Sequence, residues 1–175
     1  MISIPWILVT IFTFPGIVLR QIAHRFFCDL CGVPVYKVCY FRPANPSGYL
    51  INGKVNSLGK AILISFGPLI LSSFLCMIIT FPFVLPTFVL HSSFSNPSLW
   101  ILGWLGLSIG MHAFPNSHDL KGIYEYLEES SNSSIGNSIS KVLLKPLMII
   151  GKAGAMLFFD LAYAIVLSFI LPMIL

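Results

Sequence analysis

The chain has 175 residues, of which 57% are hydrophobic, 14% aromatic and only 9% charged, with a mean hydropathy of +0.90. That leaves too little polar surface to cover a water-soluble globule of this size, so the composition argues against a soluble enzyme and for an integral membrane protein whose first partner is the lipid bilayer. Ten Lys and Arg against six Asp and Glu give a formal charge of +4. No basic run with interleaved aromatics occurs, so the excess points to cytoplasmic loops and not to a nucleic-acid partner.

In chain order, residues 2–24 form a first apolar span, interrupted by Pro15 and Gly16. It has neither a positive leading region nor a small-residue cleavage site, so a retained membrane helix is expected. Residues 33–56 change character. GVPVYKVCYF alternates β-branched and aromatic residues, RPANPSG is turn-rich, and GYLINGKV follows, which together read as a small β-hairpin at the membrane surface. Further spans are expected at about 58–85, with an internal Gly67-Pro68, at 99–114 and at 142–175, and the Ser/Asn-rich stretch 128–141 reads as a flexible linker. The fold class is therefore an all-α polytopic bundle of about four transmembrane helices with one hairpin between the first and second. Residues 1–175 make a single integral membrane domain. Arg25, Lys37, Arg42, Lys54 and Lys60 lie in the first connection, none of the basic residues lies between Pro86 and Leu99, and Lys121, Lys141 and Lys145 lie in the third. Connections one and three are then cytoplasmic, and both termini are non-cytoplasmic.

The stretch FPGIVLRQIAHRFFC, Phe14 to Cys28, has the frame of the zinc-peptidase pattern H-E-x-x-H with other residues in it: Arg20 and Gln21 stand at the first histidine and the glutamate, and His24 remains. That pattern works because two imidazoles at i, i+4 share a helix face and a carboxylate takes a proton from metal-bound water. A guanidinium has no lone pair to offer a cation, and an amide cannot accept the proton. A C-x-x-C at Cys28 and Cys31 has only Cys39 nearby to join it, too few thiolates for a zinc ribbon, so reduced, partly buried thiols are expected.

Taken in order, FPG-x-x-x-RQIAH-x-x-FC, SFGPLILSS and GMHAFPNSHD resemble the site-2-protease type of intramembrane zinc metallopeptidase over roughly Phe14 to Gly122. The resemblance implies that His24 corresponds to the second histidine ligand and Asp119 to the carboxylate ligand from a later helix, with Arg20 and Gln21 at the degenerate catalytic positions. The Asn that follows the Gly-Pro pair in that family has no clear counterpart here. The expectation is a metallopeptidase-like protein that has lost hydrolysis, needs no cofactor and binds a transmembrane peptide or membrane protein, with an Arg20–Asp119 ion pair in place of zinc. An extended edge in GYLINGKV would hold such a peptide. The alternatives are a divergent active zinc peptidase with His112 or His118 as replacement ligand, and a small transport or scaffold component. His91 reads as a solvated loop residue. Asp160 is a polar residue in an apolar span, with Lys152 as a candidate partner.

Overall fold

The computed structural model describes residues 4–44, 46–90, 96–115, 119–130, 142, 146, 149 and 157–174. Helix α1 spans Ile4–Phe12 and α2 spans Phe14–Leu30, so the first apolar segment breaks at Thr13 and not at Pro15-Gly16. The reason is local. Pro15 sits in the first turn of α2, where a helix needs no N–H from it, so it starts a helix instead of interrupting one. Thr13 closes α1 by donating both its backbone N–H (2.9 Å) and its hydroxyl (2.8 Å) to the Val9 carbonyl.

Helix α2 continues six residues past the expected end of the first span and stops in a Schellman turn. Gly32, at φ 67°, supplies the left-handed residue, its N–H reaches the Asp29 carbonyl (3.1 Å) and that of Val33 reaches Cys28 (2.9 Å). Strands β1 (Val35–Cys39) and β2 (Tyr49–Asn52) follow as an antiparallel pair, with Cys39 opposite Tyr49 and an irregularity between Val35 and Lys37. This is the expected hairpin.

Helix α3 (Leu58–Val84) carries Pro68 and Pro82 in its interior and passes into a π-helical turn at Leu85–Val89. Each proline removes one rung of the hydrogen-bond ladder, a loss that neighbouring hydroxyls and helices compensate in apolar surroundings. Helix α4 (Pro97–Met111) begins at an Asn96 cap, whose side chain accepts the Ser98 N–H at 3.0 Å. Helix α5 (Lys121–Ser130) takes in the first three residues expected as linker; residues 131–141 lie outside the described part. Helix α6 (Leu157–Ile174) supplies the second half of the expected last span.

The protein is thus mostly helical with one two-stranded sheet. Among the described residues one helix, Leu58–Phe88, is long and apolar enough to cross a membrane, and the apolar helices Pro97–Met111 and Phe159–Ile174 are shorter. Helix α3 is central, packing on α2, α4, α5 and α6. One apolar cluster joins the end of α2, the hairpin exit and α5 through Cys28, Val33, Val55, Ile64, Leu120 and Ile123; a second joins α3, α4 and α6 through Cys76, Ile109 and Leu167.

Helices α2 and α4 meet at Gly16. Its N–H donates to Ser108 Oγ (3.0 Å), whose hydroxyl donates in turn to the Thr13 carbonyl (3.0 Å), and a Cβ on Gly16 would collide with the Ser108 backbone carbonyl. Gly16→Ala should therefore force the helices apart and lower the unfolding temperature in detergent, at a cost of about 1–3 kcal/mol. Gly59→Ala is the control: a Cβ there meets nothing closer than 3.9 Å, and the substitution should be neutral or stabilise by up to about 0.5 kcal/mol.

Candidate functional site

One face of α2 carries its buried residues, Gly16, Ile17, Arg20, Gln21, Ala23, His24 and Cys28, at helical spacing. Arg20 and His24 are one turn apart and face the segment that joins α4 to α5. There Asp119 is held by two neighbours: Ser65 Oγ on α3 donates to its carbonyl oxygen (2.6 Å), and the next residue, Leu120, is fully buried. Arg20 Nη2 forms an ion pair with Asp119 Oδ2, and His24 Nδ1 lies 3.4 Å from Asp119 Oδ1. The structure therefore brings together Arg20, His24 and Asp119, one nitrogen group for each carboxylate oxygen. All three side chains are at most a tenth exposed, so the pairing offsets a desolvation cost of several kcal/mol per charge.

His24, Asp119 and Ser65 line a cavity of about 830 Å³. The β2 segment lines it as well. Consecutive residues from Gly48 to Val55 line the cavity, which is how a strand presents an edge; a strand face would contribute every second residue. β1 occupies the other edge of β2 in this two-stranded sheet. Arg42 fixes the approach to β2: its Nε donates to the Pro46 carbonyl (2.7 Å) while its guanidinium lies 4.9 Å from the centroid of the Tyr49 ring. Glu125 and Tyr126 of α5 complete the rim.

Gln21, beside this centre, is buried with an Oε1 that has no hydrogen-bond partner among the described residues. Its side chain lies against Gly48, where an added Cβ would come within 3.1 Å of Gln21 Cγ and Nε2. His112 is not brought to Asp119. The Thr13 hydroxyl spends its proton on the Val9 carbonyl, so His112 Nε2 must donate to Thr13 Oγ1 (2.8 Å), which leaves Nδ1 as the unprotonated nitrogen. His118, His91 and Lys152 lie outside the described residues. Asp160 is buried near the start of α6.

Among the described residues no group of three or more His, Cys, Asp or Glu side chains is placed to hold a metal ion. The donor set fits zinc poorly on chemical grounds: one imidazole and one carboxylate converge, and the third member, Arg20, already bonds the carboxylate and repels a cation. The hydroxyl groups that organise the centre, Ser65, Thr13 and Ser108, escape a search for titratable motifs. Their signal in the sequence is small polar residues at otherwise apolar positions of expected spans.

No family model matches the chain, and comparison with curated proteins and with solved structures found no match.

Cys28 and Cys31 are both free and buried in the cluster beneath the hairpin. Burial, with Cys31 and Asp29 adding to it, pushes the Cys28 thiol up to about 12. The neutral thiol is unreactive, since the thiolate is the nucleophile. A thiol reagent at pH 8 should leave Cys28 unmodified in the folded protein and modify it once the chain is unfolded in denaturant, as peptide mass mapping will show.

Proposed function

We propose that the chain is a four-span membrane protein with a site-2-protease-like core that has lost hydrolysis and holds an extended segment of a transmembrane peptide against β2. The single observation that carries this reading is Asp119, paired with Arg20, at the wall of a cavity that a strand edge also lines. An edge strand offers unpaired backbone groups, and adding a strand to it satisfies them without any chemical step. The polar centre facing that edge has an arginine at the position of a metal ligand and a glutamine at the position of a base. Gln21 cannot take a proton from water, and Arg20 has no lone pair with which to hold a metal ion.

Membrane embedding draws support from the outward surface. Phe12 on α1 is 70% exposed, Ile70 on α3 67% and Met173 on α6 80%, a pattern that lipid satisfies and water does not. Inside, the helices cross on small residues, Gly106 against Thr80 and Gly110 against Ala164 and Cys76, and are tied by hydroxyls such as Ser73 to Tyr163 (2.7 Å). Close crossings and interhelical hydroxyl bonds are what hold helices together where lipid removes the hydrophobic drive. Placing the basic hairpin and α5 on the cytoplasmic side puts the cavity at that membrane boundary.

Purified chain should carry no stoichiometric zinc, whereas Arg20→His with Gln21→Glu should gain it and lose it again when His24→Ala is added. In nanodiscs, a labelled transmembrane peptide with an unwound segment should bind the unsubstituted protein without being cleaved. Its counterpart N-methylated at alternate amides, which cannot donate to β2, should bind at least about tenfold more weakly, the equivalent of one lost hydrogen bond or more. Stoichiometric zinc in the unsubstituted protein, abolished by His24→Ala, would overturn the proposal.

A further inference from the structure

The open edge of β2 has a defined set of pairing groups. The Gly53 N–H donates to the Pro34 carbonyl (2.7 Å) and the Ser47 carbonyl accepts the Arg42 N–H (2.8 Å), so both residues turn their backbone groups toward β1. Backbone groups alternate from one side of an antiparallel strand to the other, residue by residue. Tyr49 and Ile51, which lie between those two in step, therefore also face β1, and Leu50 and Asn52 turn their N–H and C=O groups to the open edge. Leu50 and Asn52 line the cavity, so an extended segment lying in it pairs with them.

The same register sets the faces of the sheet. Lys37 lies opposite Ile51 and Cys39 opposite Tyr49, so these side chains share one face, while Val38 and Leu50 share the other. The Leu50 face is the inner one, since Leu50 and Val35 pack on the buried cluster of Cys28, Val33, Val55 and Ile64. On the outer face, where Lys37 and Ile51 are exposed, the Tyr49 ring has two cations beside it: Lys37 Nζ lies 5.9 Å from its centroid and the Arg42 guanidinium 4.9 Å. A ring attracts each cation, but the two repel one another. Among the described residues neither has a carboxylate at ion-pair distance; Asp29 is paired with Arg25, and Asp119 with Arg20 and His24. Arg42 spends its Nε on the Pro46 carbonyl, and its terminal nitrogens make no hydrogen bond among the described residues. Both Arg42 and Tyr49 line the cavity.

We propose that the β2 edge selects a peptide segment carrying an acidic side chain, Asp or Glu, on its outer face, and that Lys37 and Arg42 receive that carboxylate beside Tyr49. The inference deepens the peptide-binding reading and rests on it. Every second residue of a paired segment shares the face of Tyr49 and Ile51, so the preference alternates along the segment with a period of two. The two cations also exclude. With the hairpin on the cytoplasmic side, the segments that reach it are enriched in Lys and Arg. A basic residue on the outer face meets two like charges, so the edge discriminates by repulsion as well as by attraction.

The test uses the full chain in nanodiscs of phosphatidylcholine and labelled transmembrane peptides with an uncharged extended segment, into which one Glu is moved a residue at a time. Glu should tighten binding about three- to fivefold over Gln at positions two apart and leave it unchanged at those between, the range of a partly exposed ion pair. Lys at the favoured positions should weaken binding by a similar factor, and the preference should shrink at high salt. Lys37→Glu, on the exposed face of β1, should abolish the difference between the Glu and Lys peptides, and the milder Lys37→Gln should reduce it. Equal affinity for the Glu, Gln and Lys peptides would overturn the inference and leave the peptide-binding reading standing; no binding by any of them would overturn both. A preference that survives Lys37→Glu would overturn it too. So would the absence of any preference together with retention of phosphatidylserine that Lys37→Glu abolishes, which assigns the two cations to a lipid headgroup.

Discussion

A buried guanidinium sets the terms for the rest of the structure. Arg20 cannot shed its charge, so in an apolar bundle it must be paired, and the pairing fixes which segments meet. Asp119 is presented to it by backbone that Ser65 bonds at the Asp119 carbonyl and that the buried Leu120 anchors one residue further on. His24 follows from Arg20 by helix geometry alone, one turn further along the same face. The pair thus joins α2, α3 and the start of α5 around one carboxylate. The hydrophobic cluster of Cys28, Val33, Val55, Ile64, Leu120 and Ile123 seals the same junction from the hairpin side.

The bundle around this centre is held by small residues and hydroxyls more than by large apolar side chains. Its fully buried members include Thr80, Cys76, Ser72 and Ser108, while Phe12, Phe74, Phe88 and Trp100 point outward. In water that distribution is inverted. It becomes reasonable where the outer medium is itself apolar, because burying a phenyl ring against lipid gains little over leaving it there, and close backbone approach and internal hydrogen bonding decide the packing. Gly16 illustrates it: the glycine lets α2 approach α4 closely enough for its N–H to reach Ser108, and Ser108 hands its own proton to the carbonyl of Thr13, where the α1–α2 break left an acceptor.

What was legible in the sequence followed from strong local signals. The alternation in GVPVYKVCYF and the turn residues of RPANPSG located the hairpin, and the i, i+4 spacing placed Arg20 and His24 on one face. That Asp119, 99 residues away from Arg20, would meet it was implied by the order of the motifs and their resemblance to an intramembrane peptidase, a long-range contact that no local signal encodes. Less was legible where several principles compete. Pro15 read as a helix breaker, although in the first turn of α2 it is a helix starter, because the position of the break depends on the Thr13 hydroxyl and not on the ring of Pro15. His112 read as a possible ligand, yet its Nε2 is claimed by Thr13, a partner whose identity emerges only when α1 and α4 are packed. Asp160 was visible as an anomaly in an apolar helix, with the nearest lysine along the chain as the natural partner. That lysine, Lys152, lies outside the described residues.

Under the proposed reading, the contrast between Gln21 and the β2 edge separates binding from turnover. Peptide hydrolysis needs a water stripped of a proton at the moment it attacks a carbonyl, and that requires a base poised between protonated and free forms together with a cation or hydrogen-bond donors beside the carbonyl oxygen, which becomes negative. On that reading an amide, Gln21, stands where a base would be, and it has no such pair of forms. Holding a strand requires neither. It needs only an edge with outward backbone groups, a space of peptide dimensions and a rim that does not collapse onto the edge when it is empty. The Arg42–Pro46 bond and the Tyr49 ring keep β2 in place from one side. The ion pair keeps α2 and Asp119 in place at the wall that Asp119 and His24 line.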